Sequence, residues 1–227
     1  MRDSMNLSAL PLFKGLLPAQ LDELRNQLHT VERPPKHRLI AADDASDAVF
    51  IVLSGTVKIC IDQAARDEVI LALLGEGALI GEIGVVQSAR RSANVITLEP
   101  ARLLQMHHAD FLRALERYPA MALNLSAILG QRLRVANGRL LAHAATSEYG
   151  RAARMILVLV QEHGIQQDDG SLRIPVRITQ SDLANMIGAG RVWVNRAMTA
   201  LKREGVLNIA TNYHITVHDL AALERYC

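Results

Sequence analysis

Aromatic residues are scarce in this sequence, at 4% of 227 residues. Half of the residues are hydrophobic, so a sizeable core must be built mainly from Leu, Val, Ile and Ala. Cysteine is nearly absent. Cys60 lies in an alternating apolar stretch and Cys227 is the last residue. Two thiols fall short of the about four ligands that an iron–sulfur cluster takes. The eight histidines are scattered, and only His107 and His108 are adjacent. Neighbours on a strand point to opposite faces, so this pair makes a poor metal site and no metal is expected. No apolar run approaches the ~20 residues of a membrane span. The opening M-R-D-S-M-N-L-S lacks the apolar core of a signal peptide, so a cytoplasmic chain with no membrane partner is expected. An excess of one charge is missing too, with 25 basic and 23 acidic residues. Any affinity for nucleic acid must therefore be local. No P-loop, activated nucleophile or well-placed carboxylate pair is legible, and no enzyme is expected.

The length is comfortable for two domains. Leucines at helical spacing in L17-P-A-Q-L-D-E-L-R-N-Q-L28 predict a short amphipathic helix with Pro18 near its start. Between Val31 and His107 short β-branched runs alternate with Gly-containing turns, such as Ser54-Gly55 and Gly75-Glu76-Gly77. That pattern predicts a small antiparallel barrel or sandwich. M121 to L141 is proline-free, with Met121, Leu125, Ile128, Leu129, Leu133, Val135 and Leu140 three or four residues apart or at sums of these. At ~1.5 Å per residue such a helix runs about 40 Å, more than is needed to cover a small barrel. A coiled-coil seam with a second copy along this stripe, through residues 119–142 and with Leu125 and Leu129 among its positions, is the reading of that excess. Ser147 is placed to cap the next helix, which Gly164 stops, and the boundary is expected at residues 142–147. A hairpin over 168–178, two helices and a strand pair near Val206 and Tyr213 follow. The class is α+β. The expected partition is a β-rich domain over 1–118, a dimerisation helix and hinge over 119–146, and a second domain over 147–227.

The run Q180-S-D-L-A-N-M-I-G-A-G-R-V-W-V-N-R-A-M-T199 fits a helix-turn-helix. Leu183, Ala184 and Ile187 give one inner face, and Val194, Ala197 and Met198 give the other. Gly188 sits where the turn between them needs positive φ. From Gly188 to Arg203 there are four bases (Arg191, Arg196, Lys202 and Arg203) and no acid. A basic helix with this apolar pattern points to the DNA major groove.

With both halves read, the sequence from about Leu12 to Thr216 resembles the Crp/Fnr family of bacterial transcription regulators. V49-F-I-V-L-S-G-T-V resembles its barrel strands, G81-E-I-G…R91-S-A its phosphate-binding cassette, and I178-T-Q-S-D-L-A…G-R-V-W-V-N-R its recognition segment. The resemblance implies a cyclic-nucleotide-binding-type antiparallel β-barrel (jelly roll), a long dimerisation helix and a C-terminal winged helix-turn-helix. It implies cyclic AMP, or another cyclic nucleotide, as effector. Glu82 would accept from the ribose 2′-hydroxyl, and Arg91 and Ser92 would hold the phosphate. Gly81 and Gly84 would let the backbone approach, with Ile83 in the same cassette. From the long helix Arg132 would face the ligand, with Ala136 at the usual threonine and Asn137 beside it. Ala136 cannot donate to the purine, whereas Asn137 both donates and accepts. A regulator without ligand, or a haem-type gas sensor using Cys60 or His107, is the alternative.

For DNA the implied contacts are Thr179, Gln180, Arg191, Val192, Asn195, Arg196 and Lys202. A two-fold homodimer would read an inverted repeat in double-stranded DNA, with half-sites ~34 Å apart. RNA polymerase is the implied further partner. Arg191 and Arg196 match family arginines that read guanine. Cyclic-AMP-responsive members usually carry glutamate after the first of these, which accepts from cytosine. Val192 stands there, and the cytosine preference is expected to be lost.

Overall fold

The computed structural model describes residues 6–63, 66–143 and 148–226. The chain divides into two compact units, residues 1–60 with 74–132 and residues 61–73 with 133–227. Helix α4 (Pro119–His143) is continuous, and its first half belongs to the first unit.

The first unit opens with two short 3-10 turns and helix α1 (Pro18–Arg25). Pro18 occupies its first turn, where a missing N–H costs nothing, and the Gln20 side chain accepts from the Leu17 amide at 2.9 Å. Along the chain eight strands follow, β5 falling almost wholly in the second unit: β1 (Leu28–Arg33), β2 (Arg38–Ile40), β3 (Ala48–Ser54), β4 (Val57–Gln63), β5 (Arg66–Leu74), β6 (Leu79–Ile80), β7 (Asn94–Thr97) and β8 (Ala101–His107). They form two four-stranded sheets, ordered β1-β8-β3-β6 and β2-β7-β4-β5. This is the expected antiparallel jelly-roll arrangement. β3 lies inside its sheet with Ala48 to Val52 all buried, which suits its unbroken apolar run. At the β3–β4 turn Gly55 has φ +89°, and a Cβ there would meet the Pro100 carbonyl oxygen at 2.5 Å, so only glycine fits.

Between β6 and β7 lies a five-residue helix, α2 (Glu82–Val86), where the sequence suggested a loop. After β8 come α3 (His108–Arg117) and α4, separated at Tyr118. Phe13, Leu24, Leu104, Met106, Phe111, Met121 and Leu125 pack in one core. Leu125 is only 6% exposed, and Ile128 and Leu129 pack against the same core. This corrects the expected seam at Leu125, which the core takes up, while Leu129 packs against that core with part of its surface open. The large apolar side chains that α4 leaves exposed among the described residues are Leu123, Leu133 and Leu140.

The second unit contains α5 (Glu148–His163), β9 (Ile165–Gln166), β10 (Leu172–Ile174), α6 (Gln180–Ile187), α7 (Arg191–Arg203), β11 (Leu207–Ile209), β12 (Ile215–Val217) and α8 (Leu220–Arg225). Gly164 ends α5 as expected, its amide donating to the Val160 carbonyl at 2.7 Å. The four strands make one antiparallel sheet, β11-β12-β10-β9, which is the wing. The hairpin lies earlier than expected. β9 pairs with β10 around Gly170, and the chain leaves the sheet after Ile174, just before Pro175, which has no N–H to donate to a ladder. The expected cap Ser147 and most of the expected boundary, residues 144–147, lie outside the described residues.

A polar cluster closes the last turn of α5. Arg139 pairs with Glu162 at 2.7 Å and donates to the Leu71 carbonyl, and His163 lies 3.6 Å from Glu162. Burial pushes the His163 imidazole below its ordinary value and Arg139 pushes the same way, against the opposing pull of Glu162. The folded unit therefore resists a proton that the unfolded chain accepts below about pH 6.5. Stability should be full above that pH and fall as the pH drops through it. Urea unfolding at about pH 7.5 and 5.5 should show a falling midpoint that His163→Gln largely flattens.

Candidate ligand and DNA-binding sites

The first site is built on backbone ties between two segments. The Arg91 amide donates to the Asp44 carbonyl at 3.0 Å, and the Arg91 carbonyl accepts from the Asp43 amide at 2.9 Å. Nearby the Ala42 amide donates to the Asn94 side chain at 3.0 Å, and Ser46 Oγ donates to the Ala89 carbonyl at 2.7 Å. These ties point the Arg91 side chain inward, where its guanidinium donates to the carbonyls of Gly81 at 2.8 Å and Ala48 at 2.6 Å. Asp47 adds an ion pair at 3.4 Å. Burial pulls the guanidinium below its ordinary value while Asp47 pulls it back. It stays charged, as an arginine with partners does. Arg91 also borders a cleft of about 360 Å³ lined by Ile40, Asp44, Asp47, Phe50 and Gln105.

Gly81 adopts φ +83° at the start of α2, and a Cβ there would meet Arg91 Nη1 at 2.5 Å. Gly84 is crowded by the side chain of Ser46 and by the Ala89 carbonyl. Both glycines are thus crowded by the protein's own packing, before any ligand is considered, and Gly81 also by its left-handed backbone. Glu82 follows Gly81 with its side chain only 2% exposed, and Arg132 of α4 pairs with it. The same guanidinium donates to the Leu79 carbonyl. Glu82 therefore has Arg132 as its ion-pair partner, and Arg91 acts on it only through its charge. Ile83 and Ser92 are exposed beside these groups, and Ala136 and Asn137 are exposed on α4. The structure thus brings Gly81, Glu82, Arg91 and Arg132 together. Sequence reasoning missed Asp47 and the Ala48 carbonyl as Arg91 partners. A backbone carbonyl leaves no residue-type signal, and Asp47 lies outside the cassette.

His107, one residue considered for a haem, has another task. Its Nδ1 accepts from the Ala109 amide at 3.3 Å and caps α3. Among the described residues no three metal-ligating side chains gather, and no helix is long and apolar enough to cross a membrane.

In the second unit α6 begins with a capping box. The Asp182 amide donates to Thr179 Oγ1 at 3.1 Å, and the Thr179 amide donates to the Asp182 carboxylate at 2.8 Å. The Thr179 hydroxyl also donates to that carboxylate, so this expected DNA contact is engaged in holding the helix start. Gly188 ends α6 at φ +66°, as the sequence required. α7 then begins at Arg191. Val194, Ala197, Met198 and Leu201 are buried, while Arg191, Val192, Asn195, Arg196 and Lys202 are exposed together. The Asn195 side-chain Nδ2 donates to Gln180 Oε1 at 2.6 Å, which links two expected DNA-contacting side chains to each other.

A family model described as a cyclic nucleotide-binding domain matches residues 30–118, and a Crp-like helix-turn-helix domain matches residues 150–226. The cyclic AMP receptor protein of Thermus thermophilus is 31% identical over 214 residues, covering 94% of this chain and 95% of that one. The chain belongs to the Crp/Fnr family of transcription regulators. A CRP-like cAMP-activated global transcriptional regulator of Mycobacterium tuberculosis is 29% identical, covering 89% and 90% of the two chains. The solved structure of FixK2 from Bradyrhizobium japonicum shares the fold, with a TM-score of 0.74 at 16% identity over 88% of this chain and 96% of that one.

Within this Crp/Fnr chain the first site makes one demand that does not depend on a ligand. Gly81→Ala places a side chain at a left-handed backbone position, a cost of roughly 1–2 kcal/mol, and also pushes on Arg91. Gly84→Ala meets a movable serine side chain in an ordinary backbone conformation. Urea unfolding should show the larger loss for Gly81→Ala.

Proposed function

We propose that this protein is a homodimeric transcription regulator controlled by cyclic AMP, acting in the cytoplasm on an inverted repeat in double-stranded DNA, with RNA polymerase as a further partner. The observation that carries the ligand half is the meeting of Glu82, Arg91 and Arg132 around Gly81. A guanidinium has five donors, and the contacts of Arg91 use three, so a phosphate oxygen has donors left to take. The exposed Ser92 hydroxyl is beside it. A carboxylate accepts at about four positions, so Glu82 can hold Arg132 and a ribose hydroxyl at once. The names of the relatives from Thermus and Mycobacterium support cyclic AMP as the nucleotide. Asn137 is the side chain of α4 suited to the purine, in place of Ala136. The engagement of His107 as a cap weighs against a haem ligand there. Because Arg132 belongs to α4, a nucleotide that re-partners Glu82 acts directly on that helix and favours one of its arrangements over another. The hinge of this response is expected near Ser147.

Titration calorimetry with cyclic AMP and cyclic GMP tests the ligand. Arg91→Ala removes a charged hydrogen bond worth ~1.5–3 kcal/mol, so affinity for cyclic AMP should fall roughly tenfold to over a hundredfold. Unchanged affinity overturns the assignment.

The DNA half rests on the exposed basic face of α7. Arg191 and Arg196 are read as guanine contacts, each donating to O6 and N7. Val192 between them is 64% exposed and has no acceptor for cytosine, but it packs on a thymine methyl. Selection from random DNA should return an inverted repeat with guanines but no cytosine preference at the Val192 position. Val192→Glu should restore that preference by about 1–3 kcal/mol per base pair.

A further inference from the structure

Trp193 is the only tryptophan in the sequence, and it stands on the exposed side of α7 with nearly half of its surface open, at 48%. Such a ring on a helix start usually finds a hydrophobic neighbour. Here its neighbour is a charge. The guanidinium carbon of Arg196, one turn further on, lies 5.0 Å from the ring centroid. That distance is within the range of a cation–π contact. Among the described residues no carboxylate pairs with the Arg196 guanidinium. The backbone beneath it is also held, since the Tyr149 hydroxyl donates to the Arg196 carbonyl at 3.0 Å.

We infer that Trp193 is a positioning residue for guanine selection by Arg196, and this inference rests on the DNA reading of α7 given above. A guanidinium stacked on a ring spends its face and keeps the N–H groups of its edge. Reading guanine O6 and N7 needs that edge and a fixed plane. Arginine otherwise loses much side-chain freedom when it binds, and a guanidinium already held over an indole face loses less. Arg191 opens the helix, and among the described residues no aromatic ring lies against its guanidinium. The two arginines are therefore unequal readers. The guanine opposite Arg196 is selected more strictly than the one opposite Arg191, and the difference comes from a side chain that itself need touch no base.

The test uses the full-length protein with saturating cyclic AMP, and again without nucleotide, on the selected duplex and on duplexes with one guanine replaced. Arg191→Ala and Arg196→Ala first assign a guanine to each arginine. Trp193→Ala should then weaken discrimination at the Arg196 guanine about fivefold, which is ~1 kcal/mol, and leave the Arg191 guanine unchanged. Trp193→Phe should restore most of the loss. Trp193→Leu, which keeps apolar bulk without a π face, should not. The emission of the single tryptophan should change on saturation with the selected duplex, and change less when the Arg196 guanine is replaced. Equal losses at both guanines, full discrimination in Trp193→Leu, or an emission that DNA leaves unchanged overturns the inference while the DNA reading stands. If neither arginine variant alters any guanine preference, the DNA reading of α7 itself falls.

Discussion

Burying a carboxylate is costly unless a cation or hydrogen bonds compensate, and Arg132 supplies that compensation to Glu82. The pair joins the end of the β6–α2 turn to Arg132 of α4, fifty residues further along the chain. Much of the first unit is arranged around it. Gly81 supplies the left-handed turn that buries Glu82. Arg91 holds the carbonyl of Gly81 and so fixes that turn. The core residues Met121 and Leu125 fix α4, which brings Arg132 to the carboxylate. Removing Arg132 alone would strand a buried charge, which costs far more than the pair itself contributes. A ligand that offers Glu82 another partner acts on a group that the fold already depends on.

The same economy holds in the helix-turn-helix. Thr179 and Asp182 spend their polar groups on capping α6, and Gln180 and Asn195 bond each other. Four apolar side chains pin α7 from below. What remains outward is a short basic surface on a chain with a net charge of only +2. Phosphate attraction acts within about a Debye length, so a local surface suffices and the neutral total is no obstacle.

The β-branched runs with Gly-marked turns made the strands legible, because strand alternation and positive-φ glycines leave residue-type signals. Gly55 and Gly188 both took the conformations their positions suggested. The helix-turn-helix was legible for the same reason. Three features were not. The cassette reads as a loop but contains α2, since five residues carry too little periodicity to count. Asp47 and the Ala48 carbonyl hold Arg91 from forty-odd residues away, and no local pattern announces such a pairing. Trp193 looked like one more residue of a basic helix, although a lone tryptophan among bases was a signal in its own right.

The long helix shows why spacing alone misassigned a face. Intervals of three and four recur on any apolar side of a helix, and α4 has two such sides. Met121, Leu125 and Leu129 follow one another at four residues and turn into the barrel. Leu123, Ala127, Gly130, Leu133 and Leu140 run along the other side, all but the partly exposed Gly130 exposed, with Asn137 on the same stripe. A helix that only covered a barrel would need the first stripe and carry polar residues elsewhere. The second stripe is apolar or small for most of its length, and it is the one available to a second copy. Its polar member, Asn137, is also the side chain read as facing the purine. A polar residue within an apolar seam costs stability and fixes register. If a nucleotide satisfies Asn137 there, the ligand removes part of that cost, and effector binding and pairing of the two helices favour each other.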